Sequence, residues 1–110
     1  VNISSGMGRF LEIEKFSYAY RVSKLLLNTL TIVYGKIFDE YEDDVAIMSV
    51  CPGWIKTKMG TENAPLDVTV AVEYIVSLLS KEKKQVNGKF LRYGKELSWI
   101  EKTEETTFCD

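Results

Sequence analysis

Val45-Ala46-Ile47-Met48-Ser49-Val50-Cys51-Pro52-Gly53 decides the fold class of this chain. From Val45 to Val50 the run carries no charge and one small hydroxyl. A segment that is apolar on both alternating faces suits a strand covered by helices on both sides, the kind that builds parallel sheets. Pro52 and Gly53 stop it at its carboxyl end. Proline brings no N–H, and glycine lets the backbone come close to a flat ring. Open α/β sheets bind their ligands at that edge, so the stretch predicts both a sheet and the place of a site.

Upstream, Leu26, Leu30, Val33 and Ile37 recur at helical spacing, as do Val22, Leu25 and Thr29. The pattern predicts a helix from about Tyr18 to about Asp39 with two buried faces, one of them on the sheet. Ser17 stands where an N-cap belongs, and Gly35 falls late in the helix. Tyr20 and Lys24 are four residues apart and share one helical face. An ammonium beside a phenol helps it exchange a proton, which is general acid–base chemistry. The bland alternative is a solvated lysine beside a packed tyrosine. Tyr18 competes with Tyr20, but Val22 is the residue four positions after it. Arg21 lies about 100° round the helix and reads as a solvated surface charge.

Val1 to Ser5 reads as the end of a buried parallel strand running into Gly6-Met7-Gly8. No third glycine completes a dinucleotide fingerprint, so a serine-bearing turn is the better reading. Ser4 and Ser5 could each instead satisfy backbone groups at the strand end. Arg9 to Lys15 reads as a mixed loop, with Phe10 and Leu11 on the surface.

Downstream of Ile37, Phe38 to Asp44 forms an acidic, solvated turn. Lys58 to Pro65 reads as a loop that could close over the site. Asp67 should cap a helix that runs through Lys81, with Val68, Val72, Ile75, Val76 and Leu79 buried. Lys81, Lys83 and Lys84 then complement its dipole. Asn87-Gly88 turns into a short strand over Lys89–Arg92, Tyr93-Gly94 turns the chain again, and Leu97 and Trp99 fold back on the core. Glu101 to Asp110 reads as a charged, frayed tail.

The whole chain has 110 residues, 45% hydrophobic and 27% charged, with net charge -2. That is a globular composition with no basic patch for nucleic acid. No apolar run reaches the roughly 18 residues that cross a bilayer. The chain lacks histidine, and its two cysteines, Cys51 and Cys109, have no ligand spacing. The sequence therefore offers no metal site and no histidine-based triad, and reduced thiols in a cytoplasmic protein are expected.

Taken in order, Val1–Gly8, Tyr20–Lys24 and Cys51-Pro52-Gly53-Trp54-Ile55-Lys56-Thr57 resemble the catalytic half of a short-chain dehydrogenase/reductase. Thr57-Lys58-Met59-Gly60-Thr61-Glu62-Asn63-Ala64-Pro65-Leu66 and Asn87–Trp99 narrow the resemblance to the C-factor and sniffer-type carbonyl reductases. It spans residues 1 to about 99. It implies an α/β fold, the C-terminal half of a doubly wound Rossmann-type domain, with three parallel strands near 1–5, 45–51 and 88–92 and two long helices; residues 100–110 are left as the tail.

The resemblance also implies roles. Its serine stands three residues before the second glycine, which selects Ser5; with Tyr20 and Lys24 it would form the catalytic set. Tyr20, Lys24, Pro52, Gly53, Ile55 and Thr57 would hold the cofactor, and Ser5 and Trp54 would meet the substrate. A hydrophobic plug is the alternative role for Trp54. NADP is the implied cofactor, with NAD the alternative, and a small aldehyde or ketone the implied substrate. No nucleic-acid or membrane partner is implied; a homodimer through the Tyr20–Lys24 helix is. The Gly-rich phosphate turn and the asparagine of a proton relay would precede Val1. The 110 residues alone are accordingly expected neither to bind a dinucleotide tightly nor to turn over substrate. Two other functions fit the sequence: an inactive interaction or regulatory protein derived from this fold, and an isomerase using it.

Overall fold

The computed structural model describes residues 1–10 and 14–98. Strand β1 is Asn2–Ile3, and a 3-10 turn follows at Gly6–Gly8. Helix α1 runs Tyr18–Asp39, β2 is Met48–Val50, α2 is Val68–Leu78 and α3 is Lys83–Val86. Strands β3, Lys89–Arg92, and β4, Lys95–Glu96, close the order. The sheet order is β1-β2-β3-β4. The first three strands are parallel, in the register Asn2↔Ser49 and Ser49↔Phe90, and β4 is antiparallel to β3.

Residues 48–50 of β2 are all buried, as a strand between two layers must be. Met48 and Val50 pack with Leu78, Val86 and Leu91. Cys51, Phe90 and Leu97 form a second cluster. Alternation along β2 and β3 sends the two sets to opposite faces. Each fully buried aliphatic side chain here contributes about 1.5–3 kcal/mol.

Helix α1 has the expected span but turns a different face inward. Its buried positions are Arg21, Asn28, Thr31 and Gly35. Val22, Leu26, Leu30, Val33 and Ile37 are 37–57% exposed. The inward stripe is polar or small because the backbones come close and most of its polar atoms are paired, Asn28 Oδ1 being a buried atom with no hydrogen-bond partner among the described residues. Thr31 Oγ1 shares a 2.6 Å hydrogen bond with Ser49 Oγ and accepts another from Asn2 Nδ2 at 3.1 Å. Asn28 Nδ2 donates to Gly8 O at 3.0 Å. A paired buried polar group costs little, so hydrophobic periodicity alone misassigns this helix.

Further expectations are corrected. Ser17 precedes α1 with φ 53 and makes no side-chain cap. Arg21 is buried, donates from Nε to Phe16 O at 3.1 Å, and lies 4.4 Å from the Phe16 ring centroid. Strand β1 lies at the sheet edge among the described residues, and Ile3 is 47% exposed. The expected single helix from Asp67 to Lys81 ends at Leu78, and a separate α3 begins at Lys83. In α2 the inward residues are Ala71 and Leu78, and Ile75 packs partly buried against the core as expected, whereas Val68, Val72, Val76 and Leu79 are exposed. Asp67 makes no cap and pairs with Lys56 at 3.5 Å.

Lys83 does not serve α2 either. Its ammonium donates to Phe38 O in the last turn of α1 and, just beyond the helix, to Tyr41 O at 3.2 Å and Asp43 O at 3.1 Å. A cation at that end complements the helix dipole and the last carbonyls. Asn87 ties the same region together. Its Nδ2 donates to Gly35 O and to Asp39 Oδ1, each at 2.8 Å, and its Oδ1 accepts from Ile47 N at 3.0 Å.

Candidate functional site

The carboxyl ends of β1 and β2, the start of α1 and the Trp54–Gly60 segment enclose a cleft of about 610 Å³. Such a volume suits a small-molecule or cofactor site. Ser5 from the β1 end, Tyr20 and Lys24 from α1, and Pro52, Gly53, Trp54, Ile55 and Thr57 after β2 all line it. The structure thus brings every residue singled out for the site to one cleft. Tyr18 is 69% exposed and is not part of the lining.

Each side chain is held by the local fold. Lys24 Nζ donates to Ile3 O at 2.9 Å, which brings the ammonium across to β1, and it lies 5.6 Å from the Tyr20 ring centroid. One helical turn separates the two residues, as their spacing requires. Ser5 N-caps the 3-10 turn: its Oγ accepts from Met7 N at 3.1 Å. Its proton remains available to donate, since a hydroxyl has one donor and two acceptor sites. The backbone-satisfying role thus falls to Ser5 rather than Ser4. Ser4 Oγ is buried and has no hydrogen-bond partner within the described residues.

Arg9 is fully buried and its Nε donates to Gly6 O at 2.7 Å, fixing the turn from beneath. Gly8 then packs directly on α1. A Cβ added there would lie 2.7 Å from Lys24 Cβ.

After β2, Ile55 forms a parallel bridge with Leu66. The bridge uses Trp54 O, which accepts from Leu66 N at 3.3 Å, and Lys56 N, which donates to Leu66 O at 2.7 Å. In parallel pairing, the central residue's own amide groups then point away from the partner. Ile55 O lies against Gly60, where an added Cβ would be only 1.9 Å away. Thr57 Oγ1 accepts from Gly60 N at 2.9 Å, and Trp54 Nε1 donates to Gly60 O at 2.6 Å. The Lys58–Pro65 segment is therefore bonded in turns, with Ala64 buried, and it contributes Met59 and Gly60 to the cleft. Sequence reading missed those two, as well as Ile3, Met7, Ser17 and Cys51. Gly60 had a signal, a glycine soon after the strand end; Met59 had none. Leu11 and Trp99 lie outside the described residues.

A nicotinamide cofactor fits these residues. The wall at Pro52–Gly53 is low in bulk, Ile55 turns its amide away from its strand partner, and Ser4 Oγ is an unpartnered polar atom at the inner wall. Among the described residues there is no group of three or more His, Cys, Asp or Glu that could hold a metal ion. None of the described helices is long and apolar enough to cross a membrane.

No protein-family model matches the chain. Carbonyl reductase [NADPH] 1 of Sus scrofa is 30% identical over 84 residues, covering 73% of this chain and 29% of that protein. The C-signal protein of Myxococcus xanthus is 30% identical over 84 residues, covering 76% of this chain and 49% of that one. The structure of carbonyl reductase Sniffer of D. melanogaster superposes with a TM-score of 0.72 at 33% identity, over 88% of this chain and 39% of that one. The chain thus spans under half the length of each of these relatives. A parallel sheet with helices on both sides, a ligand-sized cleft at its carboxyl edge and these similarities agree, and the chain belongs to the short-chain dehydrogenase/reductase superfamily.

Proposed function

We propose that this chain carries the catalytic residues of an NADP-linked carbonyl reductase, with Ser5, Tyr20 and Lys24 as the reacting set. The observation that carries the reading is the convergence of these three side chains with Pro52–Thr57 on one cleft. The similarity to an NADPH carbonyl reductase supports the cofactor. When bound, NADPH supplies a hydride to the carbonyl carbon and leaves as NADP⁺. Ser5 donates its free hydroxyl proton as a hydrogen bond to the carbonyl oxygen, stabilising the charge that grows there. Tyr20 passes its phenolic proton to that oxygen, giving the alcohol. Lys24, held toward the site by Ile3 O, supplies positive charge beside the phenol and a donor for the cofactor's ribose. The backbone N–H of Ile55 and the hydroxyl of Thr57 would bind the nicotinamide end of the cofactor, and Trp54 would border the substrate.

The test is the full-length protein with NADPH and a panel of small aldehydes and ketones, followed by loss of NADPH absorbance. Tyr20→Phe keeps the ring and removes the proton. We expect it to lower kcat roughly 10²- to 10⁴-fold and to leave the NADPH Kd within about threefold. Tyr18→Phe is expected to be mild. Full activity in Tyr20→Phe, or a larger loss in Tyr18→Phe, would sink the assignment.

A second reading, a non-catalytic interaction protein on the same fold, draws on the similarity to C-signal and on the outward apolar stripe Leu26, Leu30, Val33 and Ile37. Wild-type protein with no turnover across the panel would favour it. In either reading we assign that stripe to contact with a second copy of the chain. Sedimentation of the same preparation as a monomer would remove that surface.

A further inference from the structure

We propose that Tyr93 is a positioning residue for the cofactor wall of the cleft, holding Pro52–Gly53 in place through its phenol. The inference deepens the reductase reading and rests on it. Tyr93 occupies the first central position of the two-residue turn between β3 and β4, which the pair Arg92↔Lys95 closes. Tyr93 has φ 44 and Gly94 has φ 81. A two-residue hairpin with positive φ at both positions calls for Asn-Gly, Asp-Gly or Gly-Gly. A bulky aromatic residue there is strained, and such residues persist where surrounding contacts over-determine them, often at functional sites.

Those contacts reach well beyond the turn. The Tyr93 ring stacks on Tyr74 of α2 with centroids 4.5 Å apart, and Tyr74 Oη accepts from Gly94 N at 3.2 Å. The Arg92 guanidinium lies 5.8 Å from the Tyr93 ring centroid. The Tyr93 hydroxyl donates to Pro52 O at 3.0 Å, across 41 residues of sequence. The ring also borders Gly53, where an added Cβ would be 3.9 Å from Tyr93 Cε2. Leu66 grips the same segment through the Ile55 bridge, and its Cδ1 would be 2.7 Å from that Gly53 Cβ. Pro52 and Gly53 are where β2 ends and the cleft begins. The strained turn places a phenol where it fixes the carbonyl of the first wall residue, and an asparagine in its place is too short to do so.

Tyr93→Phe in the full-length protein keeps the ring and its stack and deletes one hydroxyl. Amide hydrogen exchange at Cys51 and Lys56, which flank Pro52–Gly53 and donate to Leu91 O and Leu66 O, measured without cofactor, should rise roughly fivefold, the equivalent of one ordinary hydrogen bond. The Kd for NADPH should weaken by a similar factor, while Tm and kcat at saturating NADPH stay close to wild type. A second variant, Tyr93→Asn, suits the turn and cannot reach Pro52, so it should weaken NADPH at least as much. A purely structural Tyr93 gives the reverse pattern, a lowered Tm with unchanged affinity in the folded protein. Wild-type binding of NADPH with unchanged exchange and affinity in Tyr93→Phe overturns the Tyr93 role alone. Wild-type protein that binds no NADPH overturns the reductase reading and, with it, the cofactor role of this residue.

Discussion

Gly35 of α1 meets Gly88 at the start of β3 backbone to backbone: a Cβ on Gly35 would lie 2.4 Å from Gly88 Cα. Gly88 itself has φ 71, which favours glycine there for a second reason. The contact sets how near α1 approaches the sheet, and through α1 it sets where Tyr20 and Lys24 stand relative to β1 and β2.

Gly35→Ala is therefore expected to destabilise the protein. At an open helical site the same change would stabilise by up to about 1 kcal/mol. Here the new methyl must displace backbone rather than a flexible side chain, and overpacking of that kind costs about 1–3 kcal/mol. Urea unfolding of the variant checks this. A raised midpoint would show that the contact yields.

Gly8→Ala tests the register between the Ser5 turn and the helix. The added Cβ would lie 2.7 Å from Lys24 Cβ and 2.8 Å from the Lys24 carbonyl carbon. Relief requires the Ser5–Gly8 turn to move away from α1. A displacement near 1 Å at a reacting group can lower the rate about 10²-fold. We expect kcat in the reductase assay to fall by at least about tenfold, with a smaller change in NADPH affinity. Unchanged kcat would separate Ser5 from the reacting set.

Lys83→Met removes the ammonium that joins Phe38 O, Tyr41 O and Asp43 O. The apolar stem is kept, so packing changes little. Hydrogen bonds to a charged group are worth about 1.5–3 kcal/mol, and partial exposure of this cluster points to the lower part of that range. We expect a loss of roughly 1–2 kcal/mol in chemical denaturation, partly restored in Lys83→Arg, with kcat unchanged because the contacts lie at the far end of α1. A stability equal to wild type would mean that the three carbonyls are equally well solvated without the lysine.

The sequence by itself determined the α/β class, the span Tyr18–Asp39 of α1, a buried strand within Val45–Cys51, which the structure shortens to Met48–Val50, and the pairing of Tyr20 with Lys24 on one helical face. Each of these follows from chain geometry acting over a few residues: periods of 3.6 and 2, and a strand stopped by Pro-Gly. The tertiary structure alone decided which face of α1 turns inward. The longest apolar stripe stays outside, because Gly8, Gly35 and Gly88 allow backbone approach that large side chains would block, and because Asn28 and Thr31 find partners on other elements. It also decided that Lys83 serves α1 across 45 residues, and that a β3–β4 hairpin carries Tyr93 back to Pro52. Contacts of this kind depend on two distant segments meeting at hydrogen-bond range, and nothing in the local periodicity of either segment encodes the other.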